Sequence, residues 1–196
     1  MKTRISITRT FLLLLPLFIA AFSSCDWKTK DPVKVADDHN DAKFNGDEAN
    51  NSQAVVDVAG LLLEDIELAK LAQNNSIKKD VRKTGQQLEL EYTQSYSLLK
   101  QIALKKTITV PVEVSSANKK TNTDLGYEIS DKFDTKYFEL SAKDHKSAID
   151  LLNKIKSKCR HEEIRTWADA TLVVYKKNLS ALTALQQRLE LTKPNP

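Results

Sequence analysis

Metal binding, acid–base catalysis and thiol chemistry each need particular side chains at particular spacings, and this chain offers few of them. It has three histidines, His39, His145 and His161, and two cysteines, Cys25 and Cys159. His145 shares a helical-period row with Phe138, Ile149 and Leu152, so its imidazole is expected to face the interior of a fold. Tyr92 and Asn178 interrupt rows that are otherwise largely apolar, and Asp144 lies on a row with Tyr137, Leu140, Ala148, Leu151 and Ile155. A buried polar group without a partner costs about 1–3 kcal/mol. Such residues, arriving from different helices, either hydrogen-bond one another or share a bound ion. A di-metal centre in a helical bundle takes Glu from two helices and Glu-x-x-His from each of the other two, and Glu-x-x-His does not occur here. His39 stands among Asp37, Asp38 and Asp41, a pattern read either as a metal site or as a solvated charge run. His161, followed by Glu162 and Glu163, is expected at a helix start and in solvent.

Other chemistries lack their residues. There is no glycine-rich phosphate loop and no Gly-x-Ser-x-Gly. Glu89 with Glu91, and Glu162 with Glu163, are acidic pairs whose side chains point apart on a helix, unsuited to paired acid–base work. The aromatic residues fall mostly on helical rows, which leaves no base-stacking platform. No catalytic residue, metal or cofactor is therefore expected.

The N-terminus carries the clearest signal. Lys2, Arg4 and Arg9 precede an apolar run over 11–22, broken only by Pro16 and followed by Ser23, Ser24 and Cys25. That is the layout of an export signal, and the run is short against the roughly 20 apolar residues of a membrane span. Phe22-Ser23-Ser24-Cys25 resembles the lipobox of bacterial lipoproteins, with Phe where Leu or Val is commoner. The resemblance implies that residues 1–24 are removed and that Cys25 is lipidated, and two or more acyl chains hold a protein stably on a membrane. Removing Lys2, Arg4 and Arg9 from 30 basic residues leaves 27 against 26 acidic ones. Without a basic block, no nucleic-acid partner is expected. Once Cys25 is acylated, Cys159 has no cysteine to pair with. It is read as a half-buried small side chain near a helix end, or alternatively as a reactive thiol.

The elements that must position these side chains are helices. Four glycines and five prolines in 196 residues disfavour a many-turned β protein. Residues 26–51 are polar and lack apolar periodicity, so 25–51 is read as a lipidated cysteine with a flexible tether. The first helix is expected over about 52–73 on Val55, Val58, Leu62, Ile66 and Ala69, with a second row of Leu61, Leu68 and Ala72. The second is expected over about 77–105, on Ile77, Val81, Thr84, Leu88, Tyr92, Ser95, Leu99 and Ile102. Pro111 lies in a crossing loop, with a short helical piece near 118–127. The third helix starts at Ser130 or Asp131. The fourth spans about 161–191 on Ile164, Ala168, Thr171, Tyr175, Asn178, Leu182, Leu185 and Leu189. Four amphipathic helices over 52–191 bury their rows only against one another. Short turns within each pair and a long middle connection predict an all-α, ferritin-like antiparallel four-helix bundle, with a crossover between the second and third helices. Residues 192–196 form a tail.

Three segments resemble a widespread bacterial family of outer-membrane proteins called domain of unknown function 4142: Asp65-Ile66-Glu67-Leu68-Ala69-Lys70-Leu71-Ala72, Phe133-Asp134-Thr135-Lys136-Tyr137 followed by Lys143-Asp144-His145, and the stretch 108–112. The resemblance covers about 42–190. It implies a ferritin-like bundle, export and no established activity. It also implies inward histidines on the last three helices. Those positions hold Tyr92, His145 and Asn178 here, so only one imidazole is kept, while the acidic positions of the first helix are Asp65 and Glu67. The expectation is a polar core cluster of Asp65, Glu67, Tyr92, Asp144, His145 and Asn178. The protein around it is expected to be lipid-anchored in the cell envelope, on the periplasmic face of the outer membrane. Its role is structural or binding, toward an envelope protein or a small ligand. The competing roles are a metal-binding or redox protein of ferritin-like descent and a small-ligand carrier.

Overall fold

Helix formation begins earlier than the apolar periodicity suggests. The computed structural model describes residues 30–192; residues 1–29, on which the expected export signal and Cys25 fall, and residues 193–196 lie outside the described residues. Within it, Pro32–Asp41 is a helix, α1. Asp31 caps it, its Oδ1 accepting from the Val33 and Lys34 N–H groups at 2.9 and 3.3 Å, and Pro32 occupies a first-turn position where its missing N–H costs nothing. Ala36 and Asn40, one turn apart, are buried. Asn40 clamps the backbone of Thr109, donating to its carbonyl and accepting from its N–H, both at 2.8 Å. A flexible tether through residue 51 is therefore corrected from Pro32 onward. The apolar signal was weak because polar bonds, rather than a greasy row, hold much of this segment down.

The second helix, α2 (Asp47–Asn75), starts after Gly46, whose φ of +57° favours glycine. Asp47 and Glu48 sit in its first turn, where the helix dipole favours negative charge. After the short turn at Ser76 come α3 (Lys79–Lys105), then α4 (Ser116–Gly126), α5 (Ser130–Lys158) and α6 (Glu162–Leu191). All regular elements among the described residues are helical. Ile77 heads the expected second row but lies just before α3 and is exposed.

Helix α2 packs on α3 and α5, and α6 packs on α5 and α3. The apolar rows meet in one core that includes Val55, Leu62, Leu88, Leu99, Leu152 and Ile164. Cys159 closes α5 and is buried and free. At about 25 cal/mol per Å² of apolar surface, the burial of these rows is what keeps such long helices from fraying in water. Ion pairs across α3 and α6 record their register: Asp80 with Arg188 at 2.6 Å, Glu91 with Lys177 at 2.6 Å, and Lys106 with Glu163 at 2.8 Å. Helices α2 and α3 come close at Gly85, where an added Cβ would stand 2.7 Å from the Ala69 carbonyl oxygen. Helix α4 is short and polar. It lies against α2 and α5 and buries Leu125.

Candidate functional site

Midway along the core, the four long helices each contribute polar side chains to one layer. Asp65 comes from α2, Tyr92 from α3, His145 from α5, and Tyr175 and Asn178 from α6; all five are buried. The helical period explains the placement. Asp65 falls among Leu62, Ile66 and Ala69, and Tyr92 falls four residues after Leu88, so each is carried inward by an apolar row.

Hydrogen bonding fixes the proton positions. His145 Nδ1 lies 2.7 Å from the Ser141 carbonyl oxygen, which can only accept, so Nδ1 carries the proton. Its Nε2 is left as an acceptor and receives the Tyr92 hydroxyl at 2.5 Å. Tyr92 Oη accepts from Asn178 Nδ2 at 3.1 Å, and the same amide nitrogen donates to Glu91 Oε2 at 2.8 Å. Tyr175 donates to Asp65 Oδ2 at 2.8 Å. The rings also pack on one another: Tyr92 stacks on Tyr175 with centroids 4.9 Å apart, and His145 meets Tyr175 edge-on at 5.2 Å.

Charge is withheld from this layer. Asp65 Oδ1 is 3.7 Å from His145 Nδ1, yet this is no ordinary ion pair. Burial pushes His145 down to about 4, against a smaller upward pull from its bond to Ser141. Burial, then the nearby charge of Asp144, holds Asp65 well above the usual carboxylate range. His145 is therefore neutral at pH 7. The Tyr92 and Tyr175 phenols are raised by burial and then by the Asp65 charge, and stay protonated.

The structure brings Asp65, Tyr92, His145 and Asn178 together, with Asp144 half-buried beside them. Glu67 is not brought in: it lies partly exposed on α2 and pairs with Lys70 at 2.7 Å. Its place beside the layer is taken by Glu64, which is 3% exposed. Asn122 of α4 touches Glu64 at 3.4 Å. Burial and then Asp144 raise Glu64 to about 7, and burial raises Asp144 to about 6. Two contributors lack a sequence signal for a site. Tyr175 follows the apolar row of its helix as a core position, and Glu64 completes the row of Leu61, Leu68 and Ala72. His39 is exposed on α1, and His161 lies at the start of α6, 3.9 Å from Glu48.

A metal ion of the kind held in ferritin-like bundles does not fit these donors. The one imidazole in the layer already accepts a hydrogen bond at Nε2 and donates one from Nδ1. Tyr92 and Asn178, its neighbours in the layer, are poor ligands for a divalent transition metal. No three His, Cys, Asp or Glu side chains converge as a metal site among the described residues. What the layer can do is join the helices through directional bonds.

Residues 36–185 match the model of a protein family described as a domain of unknown function, DUF4142. No curated protein and no solved structure matches the chain.

Proposed function

The chain belongs to this family of unknown function, and from that premise we propose that it is a lipid-anchored, non-catalytic helical module of the cell envelope. In this reading Cys25 carries the anchor and the bundle stands in the periplasm, most simply on the outer membrane. The helices form a ferritin-like antiparallel four-helix bundle, with α4 and the preceding loop as the crossover. The α3–α6 ion pairs support this topology, since their residue numbers rise along one helix as they fall along the other.

The observation that carries the non-catalytic reading is the engagement of His145 on both ring nitrogens, by Ser141 and Tyr92, inside a layer closed to solvent. A general base or a ligand imidazole needs a free lone pair within reach of its target. The role left for the bundle is to present its outer surface to an envelope partner. A carrier role has less support, because the sizeable clefts run along the outside of the bundle, as between α1, the 109–113 segment and α4.

Fractionation of cells producing wild type and Cys25→Ser tests the anchor. Wild type is expected in the membrane fraction with an acylated N-terminal cysteine, and the variant as a longer, unacylated chain. A Cys25→Ser protein of mature size that stayed on membranes would refute the anchor. Metal analysis of the purified protein tests the rest. An equivalent of iron, manganese or zinc, lost in His145→Ala but kept in a surface variant, would overturn the non-catalytic reading.

A further inference from the structure

The exposed large apolar side chains are unevenly placed. Of the nine among the described residues, four gather at one end: Ile77, Tyr127, Ile129 and Leu191, which are 60%, 81%, 75% and 87% exposed. They come from three separate parts of the chain: the α2–α3 turn, the α4–α5 turn and the end of α6. Their neighbours tie these parts into one end of the bundle. Asn75 Nδ2 donates to the Gly126 carbonyl at 3.0 Å, and Lys78 pairs with Asp131 at 2.9 Å. Lys78, Asp131, Leu189 and Glu190 border a single small cleft. Ser130 is held at a φ of +54° in the α4–α5 turn, a conformation disfavoured for residues with a Cβ, and Ile129 beside it points out to solvent.

Two features narrow what this end meets. Pairing takes up several of its charges, Lys78 with Asp131, Lys136 with Glu128 and Arg188 with Asp80, and the exposed apolar side chains are the chemistry that sets this end apart. They also project from turns. A partner helix seeks a groove, whereas a lipid interface accepts protruding apolar and tyrosine side chains. The point where the chain enters the fold then names the surface. Asp31 Oδ2 accepts from the Ser116 N–H at 2.7 Å, so the N-terminal segment arrives beside the start of α4. From there α4 leads toward the apolar end over eleven residues, about 16 Å at the helical rise. The six residue steps from Cys25 to Asp31 span about 20 Å when extended. An anchor on Cys25 can therefore lie level with this end.

We propose that Ile77, Tyr127, Ile129 and Leu191 form a membrane-facing tip, seated in the headgroup region of the bilayer that holds the Cys25 anchor. The bundle then stands on this end, leaving the opposite end and the α3 and α6 faces to the periplasm. The inference rests on the lipid-anchor reading given above.

The test uses the mature acylated protein in vesicles of phosphatidylethanolamine and phosphatidylglycerol. Nitroxide labels are placed at Tyr127→Cys or, as the opposite-end control, at the exposed Leu104→Cys, both in a Cys159→Ser background. Power saturation compares collisions with oxygen, which concentrates in lipid, and with a water-soluble nickel chelate. The expected result is oxygen dominance at Tyr127 and nickel dominance at Leu104. Labels that are both nickel-dominated on an acylated, vesicle-bound protein would overturn the tip and leave the anchor standing. Spin coupling between Tyr127 labels of different copies, the mark of a tip-to-tip dimer, would also overturn it. An unmodified Cys25 by mass spectrometry would remove the anchor reading, and the tip with it.

Discussion

Replacing Glu64 with Gln should make the protein more stable at pH 8 and change it little at pH 4.5. Glu64 is buried, and its carboxyl is raised from 4.5 to about 7, first by burial and then by Asp144; hydrogen bonds from Asn122, at 3.4 Å, and from Asn118 return only part of the loss. Between those two pH values the folded protein holds a proton that the unfolded chain has released. Stability therefore falls as pH rises through this window and levels off above about 7. The rise from 4.5 to about 7, at about 1.36 kcal/mol for each tenfold change in proton affinity, sets the whole effect at about 3 kcal/mol. Gln has nearly the same shape and no charge, so Glu64→Gln should gain up to about 3 kcal/mol over wild type at pH 8. For a domain of this size that is roughly 6–12 °C in Tm.

Thermal melts followed by circular dichroism at pH 4.5, 6, 7 and 8 measure it. Wild type should lose Tm steeply across the series. The variant should show a shallower decline of the same sign, because Asp144, raised by burial to about 6, continues to titrate. Identical pH slopes for the two proteins would show that Glu64 meets water when it ionises, and the burial argument would fail.

Three further substitutions probe other parts of the argument. Tyr92→Phe removes the hydroxyl that donates to His145 Nε2 and accepts from Asn178; urea unfolding should show a loss of about 2–3 kcal/mol, and a neutral result would mean that water replaces the phenol. Gly85→Ala should destabilise by about 1–3 kcal/mol despite the better helix propensity of alanine, because its Cβ would stand 2.7 Å from the Ala69 carbonyl oxygen and 3.1 Å from the Ala72 Cβ; a raised Tm would refute that close approach. Asn40→Ala deletes both bonds to the Thr109 backbone, and trypsin should then cut at Lys34 and Lys43 several-fold faster while the rest of the domain stays protected.

The long helices were legible because burying one face of a helix forces a 3.6-residue rhythm on the residue types. The rhythm placed the boundaries of α3 and α6 within two residues. Helix α1 escaped because its buried face is little more than Ala36 and Asn40, although Asp31-Pro32 is a helix-start signal in its own right. Ile77 shows the opposite error: spacing extends a row past the point where the helix has ended. In the polar layer, rotation was a better guide than resemblance. Asp65 and Glu67 are two residues apart, about 200° around a helix, so both cannot face one layer. Glu64 sits 100° from Asp65 and on the neighbouring apolar row. Glu91, set aside as half of an acidic pair, meets Asn178 because α6 passes close to α3 at that level. That contact depends on the distance between two helices, which no single-helix pattern contains.

The polar layer also explains why this packing is favoured over its near neighbours. Apolar rows alone tolerate sliding, since a shift of one turn places one aliphatic side chain where another stood. Moving α6 by one turn would set Val174 or Leu182 opposite Tyr92 and carry Asn178 into apolar surroundings. Asn178 would lose both Tyr92 and Glu91, Tyr92 would lose its amide donor, and Tyr175 would leave Asp65. At about 1–3 kcal/mol for each stranded group, the slipped packing falls several kcal/mol below the observed one, a large fraction of the 5–15 kcal/mol that holds a domain folded. A single buried asparagine fixes register in a coiled coil by the same logic. The layer therefore works as an alignment device, provided that His145 stays neutral and keeps its Nε2 lone pair for Tyr92.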